Sequence, residues 1–373
     1  MRFIISRVHL MNALNIVSKA VSNKSPLPIL NGIKFELTND ELILLGSDTD
    51  ISIKTIIPSV ENGNQIINIF DTGEIVLSSK YITEIVRKID SERIEIEILD
   101  GNLVKISDQH TNFNLNGIKA KDYPQIDLHS NGNLISLNAQ TLKFALNQTI
   151  FAASISETRP MLTGVNFKMD GNVLECVATD TFRLAKKTIK TNESAFFNVT
   201  VPSKSLSEVS KIIDNDEIVN IYFSEKKVLF KLPKTTIATR IISGVYPDTS
   251  KLIPTNQDYK LEVITNNILA AVDRASLLST DRNNIVKLNM SQEKVEISSN
   301  SQEIGFVNER LNTFMYEGEK MSISFSAQYV QDAIKAVGSE DIQLLFVGDM
   351  KPFVIKNKED DSIIQLVVPV RTY

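Results

Sequence analysis

Tryptophan is absent from this 373-residue chain, cysteine occurs once and histidine only three times. The single Cys176 has no intramolecular disulfide partner, which fits a reducing cytoplasm. His9, His110 and His129 are scattered, so no Cys/His zinc set is available. No apolar run approaches the length needed to cross a bilayer, so no membrane partner is expected. The opening Met1–Arg7 reads as a short strand and lacks the apolar core of a signal peptide. Glycine-rich phosphate loops and Ser/His/Asp constellations are also missing, and three histidines offer little for general-base work. No cofactor is implied. Net positive charge is lacking too, because 40 Lys and Arg against 45 Asp and Glu leave −5. A nucleic-acid role therefore requires the cations to converge on one surface.

What is present is repetition. Hydrophobic residues at 42% and charged residues at 23% describe a folded chain long enough for two or three domains. Leu27-Pro28-Ile29-Leu30-Asn31-Gly32-Ile33-Lys34-Phe35 returns as Arg159-Pro160-Met161-Leu162-Thr163-Gly164-Val165-Asn166-Phe167, an offset of 132. At that same offset Ser47-Asp48-Thr49-Asp50 returns as Thr179-Asp180-Thr181-Phe182, and Leu10, Ala13 and Leu14 as Leu142, Ala145 and Leu146. A second segment occurs three times, beginning at Ser79, Ser203 and Ala327, with an offset of 124 in each step. Its apolar residues are Ile82, Ile85, Val86 and Ile89, then Leu206, Val209 and Ile213, then Val330, Ile334 and Val337. That spacing is the stripe of an amphipathic helix. The fall from 132 to 124 requires extra residues between Asp50 and Lys80, and the Asn62-Gly63-Asn64 turn is the natural place. Period-two alternation predicts strands at Arg93–Ile98 and over 217–223. Turns at Asp122-Tyr123-Pro124 and Val245-Tyr246-Pro247-Asp248 mark module ends. The chain reads as α+β, three repeated modules with two helices each packed on antiparallel sheets, spanning 1–124, 125–250 and 251–373.

The repeated second helix also carries charge in register. Lys80 and Arg87 share one face, and their equivalents are Lys204 and Lys211, then Gln328 and Lys335. A solvated helix face carries charge for no special reason. Five cations at six equivalent positions of an acidic protein instead suggest one basic stripe per module, facing phosphates. No helix-turn-helix, zinc finger or aromatic RNA platform accompanies it. Binding would then be electrostatic and indifferent to sequence.

Four segments carry a resemblance: Leu27–Leu30, Ala178–Ala185, Gly244–Asp248 and Val367–Arg371. In this order, within a threefold repeat, they resemble the beta sliding clamps of bacterial DNA polymerase III over the whole chain. The resemblance implies a non-enzymatic processivity factor, a head-to-tail homodimer closing into a ring around double-stranded DNA. DNA-facing cations are implied at Lys24, Lys80, Arg87, Lys204 and Lys211, with Lys143, Arg282 and Lys335 as further candidates. A pocket for an extended peptide from the clamp loader, the polymerase III alpha subunit and other proteins with the clamp-binding motif is implied as well. Its matching positions are Arg159, Leu162, Thr179, Arg183, Leu184, Pro247, Leu252, Val368, Pro369, Val370 and Arg371. Taken alone, Leu162, Leu184 and Leu252 read as core, and Arg183 and Arg371 as members of surface ion pairs. The subunit interface is implied at Phe113 and Leu115 with Leu277 and Leu278. Thr181-Phe182 stand where the family often has Gly-His, and Val368 and Val370 where it often has Met, so the pocket differs in volume and adaptability.

Two other readings compete. Asp48, Asp50, Asp180 and Asp281 suggest a metal-dependent phosphodiesterase. Asp48 and Asp180 are equivalent positions of separate modules, however, and Asp beside Thr usually forms turns. A scaffold of three peptide-binding modules is the alternative, against which the in-register cations argue.

Overall fold

The computed structural model describes all residues except Asn23, Lys24, Pro26, Asn215, Asp216, Thr280, Asp281, Arg282, Asn283, Gln302, Thr372 and Tyr373. Six α-helices occur among the described residues: α1 Arg7–Val17, α2 Ser79–Lys88, α3 Ala139–Asn147, α4 Ser203–Ile212, α5 Thr265–Ser276 and α6 Ala327–Val337. None is long and apolar enough to cross a membrane. The apolar stripes that predicted α2, α4 and α6 are the faces they bury: Ile82 and Val86, Leu206 and Val209, Val330 and Ile334. Helix α6 stops at Gly338, whose φ of 71° provides the left-handed C-terminal turn that a residue with a side chain resists.

The chain packs as two compact units, Met1–Gln140 with Glu208–Ile241, and Thr141–Ser207 with Ile242–Tyr373. The middle repeat contributes to both, because sheets run across the module boundaries. In the first unit an eight-stranded sheet joins four strands from each of two modules. Its order is Asn133–Asn138, Ile218–Phe223, Lys227–Lys231, Thr235–Arg240, then Ile51–Pro58, Glu41–Ser47, Gly32–Leu37 and Gly73–Ser78. The boundary is the ladder in which Ile51 to Thr55 face Thr239 to Thr235. In the second unit the corresponding ladder pairs Arg183 to Lys187 with Val367 to Ile363, inside a seven-stranded sheet.

Each unit also holds a smaller sheet with an open edge. In the first unit the order is Asn112–Asn116, Leu103–Ser107, Arg93–Ile98, Arg2–Ser6 and Ile67–Asp71. In the second it is Gly305–Arg310, Val295–Ser301, Ile285–Met290 and Met321–Ser326. The core of the second unit includes Phe325, Phe346 and Phe353, with ring centroids 5.5 and 5.1 Å from the central Phe353. The expected insertion is the small hairpin of Val60–Glu61 and Asn64–Gln65, turned by Asn62 and Gly63 at φ 50° and 80°. The strand expected over 217–223 runs Ile218–Phe223, and its ladder with Asn133–Asn138 closes on a 2.8 Å hydrogen bond from the Ala139 amide to the Glu217 carbonyl.

Candidate functional site

Helix α2 presents Lys80, Arg87 and Lys88 to solvent opposite its buried stripe. On α4 Lys204 and Lys211 are likewise exposed, as is Lys335 on α6, while Lys143 on α3 is half-buried. Lys24 and Arg282 lie outside the described residues. The structure adds an acid in the same register. Glu84, Glu208 and Asp332 precede Arg87, Lys211 and Lys335 by three residues, one turn away. Glu84 holds Arg87 in an ion pair, and Glu208 holds Lys211 at 2.7 Å. These are exposed pairs worth a few tenths of a kcal/mol each, easily exchanged for a phosphate. The third acid behaves differently: Asp332 is taken by Arg183 at 2.6 Å and by the Gln328 side-chain amide at 2.8 Å. Lys335 has no ion-pair partner among the described residues.

The residues expected to hold a peptide fall into three groups. Leu162 and Leu184 are buried with Val177, Tyr246 and Leu366 in a small cluster against which Met161, Ile253 and Val368 pack. They form an apolar floor, as the core reading of these two leucines expects. Tyr246, Val177 and Leu366 were missed; only the Tyr246-Pro247 turn gave a signal for any of them. Burial raises the Tyr246 phenol well above its ordinary pKa, so it remains neutral. Leu252, Pro247 and Phe182 are exposed around this floor. The Val368 amide donates to the Phe182 carbonyl at 2.9 Å and the Val370 amide to the Ser324 carbonyl at 2.7 Å, which fixes the terminal segment. Pro369 is half-buried, while Arg159 and Arg371 are exposed.

Thr179 and Arg183 are committed internally. The Thr179 hydroxyl donates to the Arg183 carbonyl at 2.6 Å and accepts from the Thr181 amide at 3.1 Å. The Arg183 guanidinium pairs with Asp180 at 3.1 Å and Asp332 at 2.6 Å. It also lies 5.2 Å from the Phe151 ring centroid and 4.6 Å from that of Tyr329. Its charge is balanced within the chain, as an ion-pair reading of it requires.

Of the aspartates of the metal reading, Asp180 and Asp48 are turn formers and Asp50 pairs with Arg240. Asp180 Oδ1 accepts from the Phe182 and Arg183 amides at 2.9 and 3.0 Å. Asp48 Oδ1 accepts from the Asp50 and Ile51 amides, both at 3.0 Å. Asp281 lies outside the described residues. The two turns share a conformation as well, with φ 84° at Thr49 and 81° at Thr181. A β-branched residue is strained there. Thr181→Gly is therefore expected to raise stability by roughly 0.5–1 kcal/mol, since relief of about 1–2 kcal/mol exceeds the entropic cost of glycine. Urea melts measure this; a loss of stability would mean that Thr181 contributes more than it strains.

The first unit differs at the equivalent positions. Ser52 faces Ala238 where Leu184 faces Leu366, and an Asp50–Arg240 ion pair of 2.5 Å occupies the position of exposed Phe182.

Phe113 and Leu115 are half-buried on the edge strand Asn112–Asn116. Leu277 follows α5 and is 74% exposed, while Leu278 is half-buried. Phe306, on the other open edge strand, is 75% exposed and was missed.

Family profiles match along the chain. The N-terminal, central and C-terminal domains of the DNA polymerase III beta subunit match residues 1–127, 136–248 and 250–371. The chain belongs to the DNA polymerase III beta subunit family. Among beta-subunit relatives, the beta sliding clamp of Bacillus subtilis is 44% identical over 380 residues, and that of Staphylococcus epidermidis 41% over 376, with both chains fully covered in each case. The solved DNA polymerase sliding clamp of Bacillus subtilis superposes with a TM-score of 0.97 at 43% identity. The beta subunit from the DNA polymerase of Streptococcus pyogenes gives 0.94 at 33%, again over the whole of both chains.

Proposed function

We propose that this chain is a non-catalytic DNA sliding clamp whose two copies close head to tail around duplex DNA. The observation that carries the closure is a missing third ladder. Strand Thr235–Arg240 pairs with Ile51–Pro58, and Ile363–Val367 with the start of Arg183–Pro202. By sequence offset the remaining members of these two sets are Asn112–Asn116 and Gly305–Arg310, each at an open sheet edge of the single chain. An unpaired edge bearing apolar side chains recruits another strand. Pairing Asn112–Asn116 of one copy with Gly305–Arg310 of another joins a five-stranded to a four-stranded sheet and brings Phe113 and Leu115 to Phe306. The contact is heterologous, and two copies of three modules close it.

Modules spanning 1–124, 125–250 and 251–373 each supply two helices to the DNA side. Lys80, Arg87, Lys143, Lys204, Lys211 and Lys335 meet phosphates there, as do Lys24 and Arg282. Cations loosely held by Glu84 and Glu208 suit a sliding surface, since exchange between carboxylate and phosphate is nearly neutral in energy. The apolar floor of Leu162 and Leu184, rimmed by Leu252, Pro247 and Val368, takes an extended peptide from the replicative polymerase, the clamp loader and related partners in the cytoplasm.

Once loaded by a clamp loader, the protein is expected to remain on a nicked circular duplex through a gel-filtration column and to leave when the circle is cut. Equal retention on circular and linear DNA would reject topological linkage.

A further inference from the structure

Helix α3 and the last turn of α6 border a groove of about 620 Å³ lined by Phe144, Phe151, Lys187, Asp332, Lys335 and Asp360, among others. Its two carboxylates are matched, Asp332 by Arg183 at 2.6 Å and Asp360 by Lys187 at 3.2 Å. Lys335 is the unmatched charge, because the acid that would restrain it is held by Arg183. Beside it the Phe144 ring is 53% exposed, next in sequence to Lys143. A register-equivalent groove of about 400 Å³ in the first unit has Asn12 and Ile16 where this one has Phe144 and Gln148. It is lined by Glu61, Asp214 and Glu217 with Lys234 and His9, so it offers neither an open ring nor an unmatched cation of this kind.

An exposed phenylalanine gains little from a duplex held by its phosphates, because paired bases keep their π-faces stacked inside. An unpaired base presents a π-face, and an aromatic ring with a cation beside it is the usual platform for it. We propose that this groove binds single-stranded DNA, one base lying against Phe144 and a neighbouring phosphate on Lys335. The proposal rests on the reading that α3 and α6 face DNA. It assigns the second unit a hold on unpaired strand that duplex sliding does not require.

Because the chain has no tryptophan, Phe144→Trp introduces a single indole reporter. Titration of the full chain with a thymidine 20-mer at low salt is expected to quench that indole to saturation, whereas a 20-base-pair duplex leaves it nearly unchanged. Phe144→Ala is expected to weaken 20-mer binding about tenfold with duplex affinity preserved. Lys335→Gln should weaken it too and flatten its salt dependence by about one charge. An unquenched indole overturns the proposal, as does an equal loss of single-strand and duplex affinity in Phe144→Ala. Quenching by a clamp-binding-motif peptide and not by the 20-mer reassigns the groove to a protein partner. Wild-type retention on nicked circles separates the two levels. If retention fails, the DNA reading falls; if it holds while the indole stays unquenched, only the groove proposal falls.

Discussion

Arg183→Ala is expected to destabilise the protein by about 3 kcal/mol and to weaken binding of a clamp-binding peptide. The guanidinium joins Asp180 at the tip of a β-turn to Asp332 on α6, in contact with the rings of Phe151 and Tyr329. All three charged side chains are mostly buried. Removing the cation leaves two carboxylates without their shared counter-ion, and breaking a buried pair this way typically costs about 3–5 kcal/mol. The partial exposure of Asp332 places the expectation at the lower end. Loss of the cation–π contacts adds to it. Arg183→Lys should rescue little, because an ammonium cannot bridge two carboxylates with a planar fork while lying against two rings. Peptide affinity falls because the Phe182 carbonyl that anchors Val368 adjoins the same turn. Urea melts of Arg183→Ala, Asp332→Asn and the double variant provide the measurement. A loss under 1 kcal/mol for Arg183→Ala would show that the network contributes little.

Leu277→Asp is expected to convert a dimer of about twice 41.7 kDa into folded monomers at micromolar concentration. The side chain is 74% exposed within the chain, so the substitution should leave the fold intact. In the proposed seam the same position would be covered, and burying an unpaired carboxylate costs several kcal/mol. About 3 kcal/mol already weakens association more than a hundredfold, and a closed dimer carries the substitution at both seams. Retention on circular DNA should vanish together with the dimer. Phe306→Asp provides the companion variant on the strand edge. Sedimentation reads both, and an unchanged dimer mass in both variants would place the seam elsewhere.

These expectations differ in how far sequence alone could reach. The stripes of Ile82, Leu206 and Val330 identified helices because periodicity is local, and Asn62-Gly63 marked its hairpin for the same reason. The Asp48 and Asp180 turns were legible as turns, since the carboxylates bond amides only two and three residues ahead. Arg183 was not legible as a strut, because its decisive partner Asp332 lies 149 residues away. The division of the middle repeat between two units also depends on distant pairing, of Ile51–Thr55 with Thr235–Thr239. The acids in register with Arg87 and Lys211 are written in the sequence, but only their spacing of one helical turn gives them meaning. Phe306 gave no signal, since one aromatic in an alternating strand says nothing about which neighbour is absent.

The ladders that cross the module boundaries have a mechanical meaning. Each welds neighbouring modules through five facing residue pairs of backbone. A load pulling the modules apart there must break the ladder together, which makes those joints stiff. Among the described residues, strands Asn112–Asn116 and Gly305–Arg310 are sheet edges of one chain, so the third joint of the proposed ring is the one with no covalent chain running through it. In the proposed ring, opening for DNA would therefore fall at the joint between copies and leave both internal ladders whole.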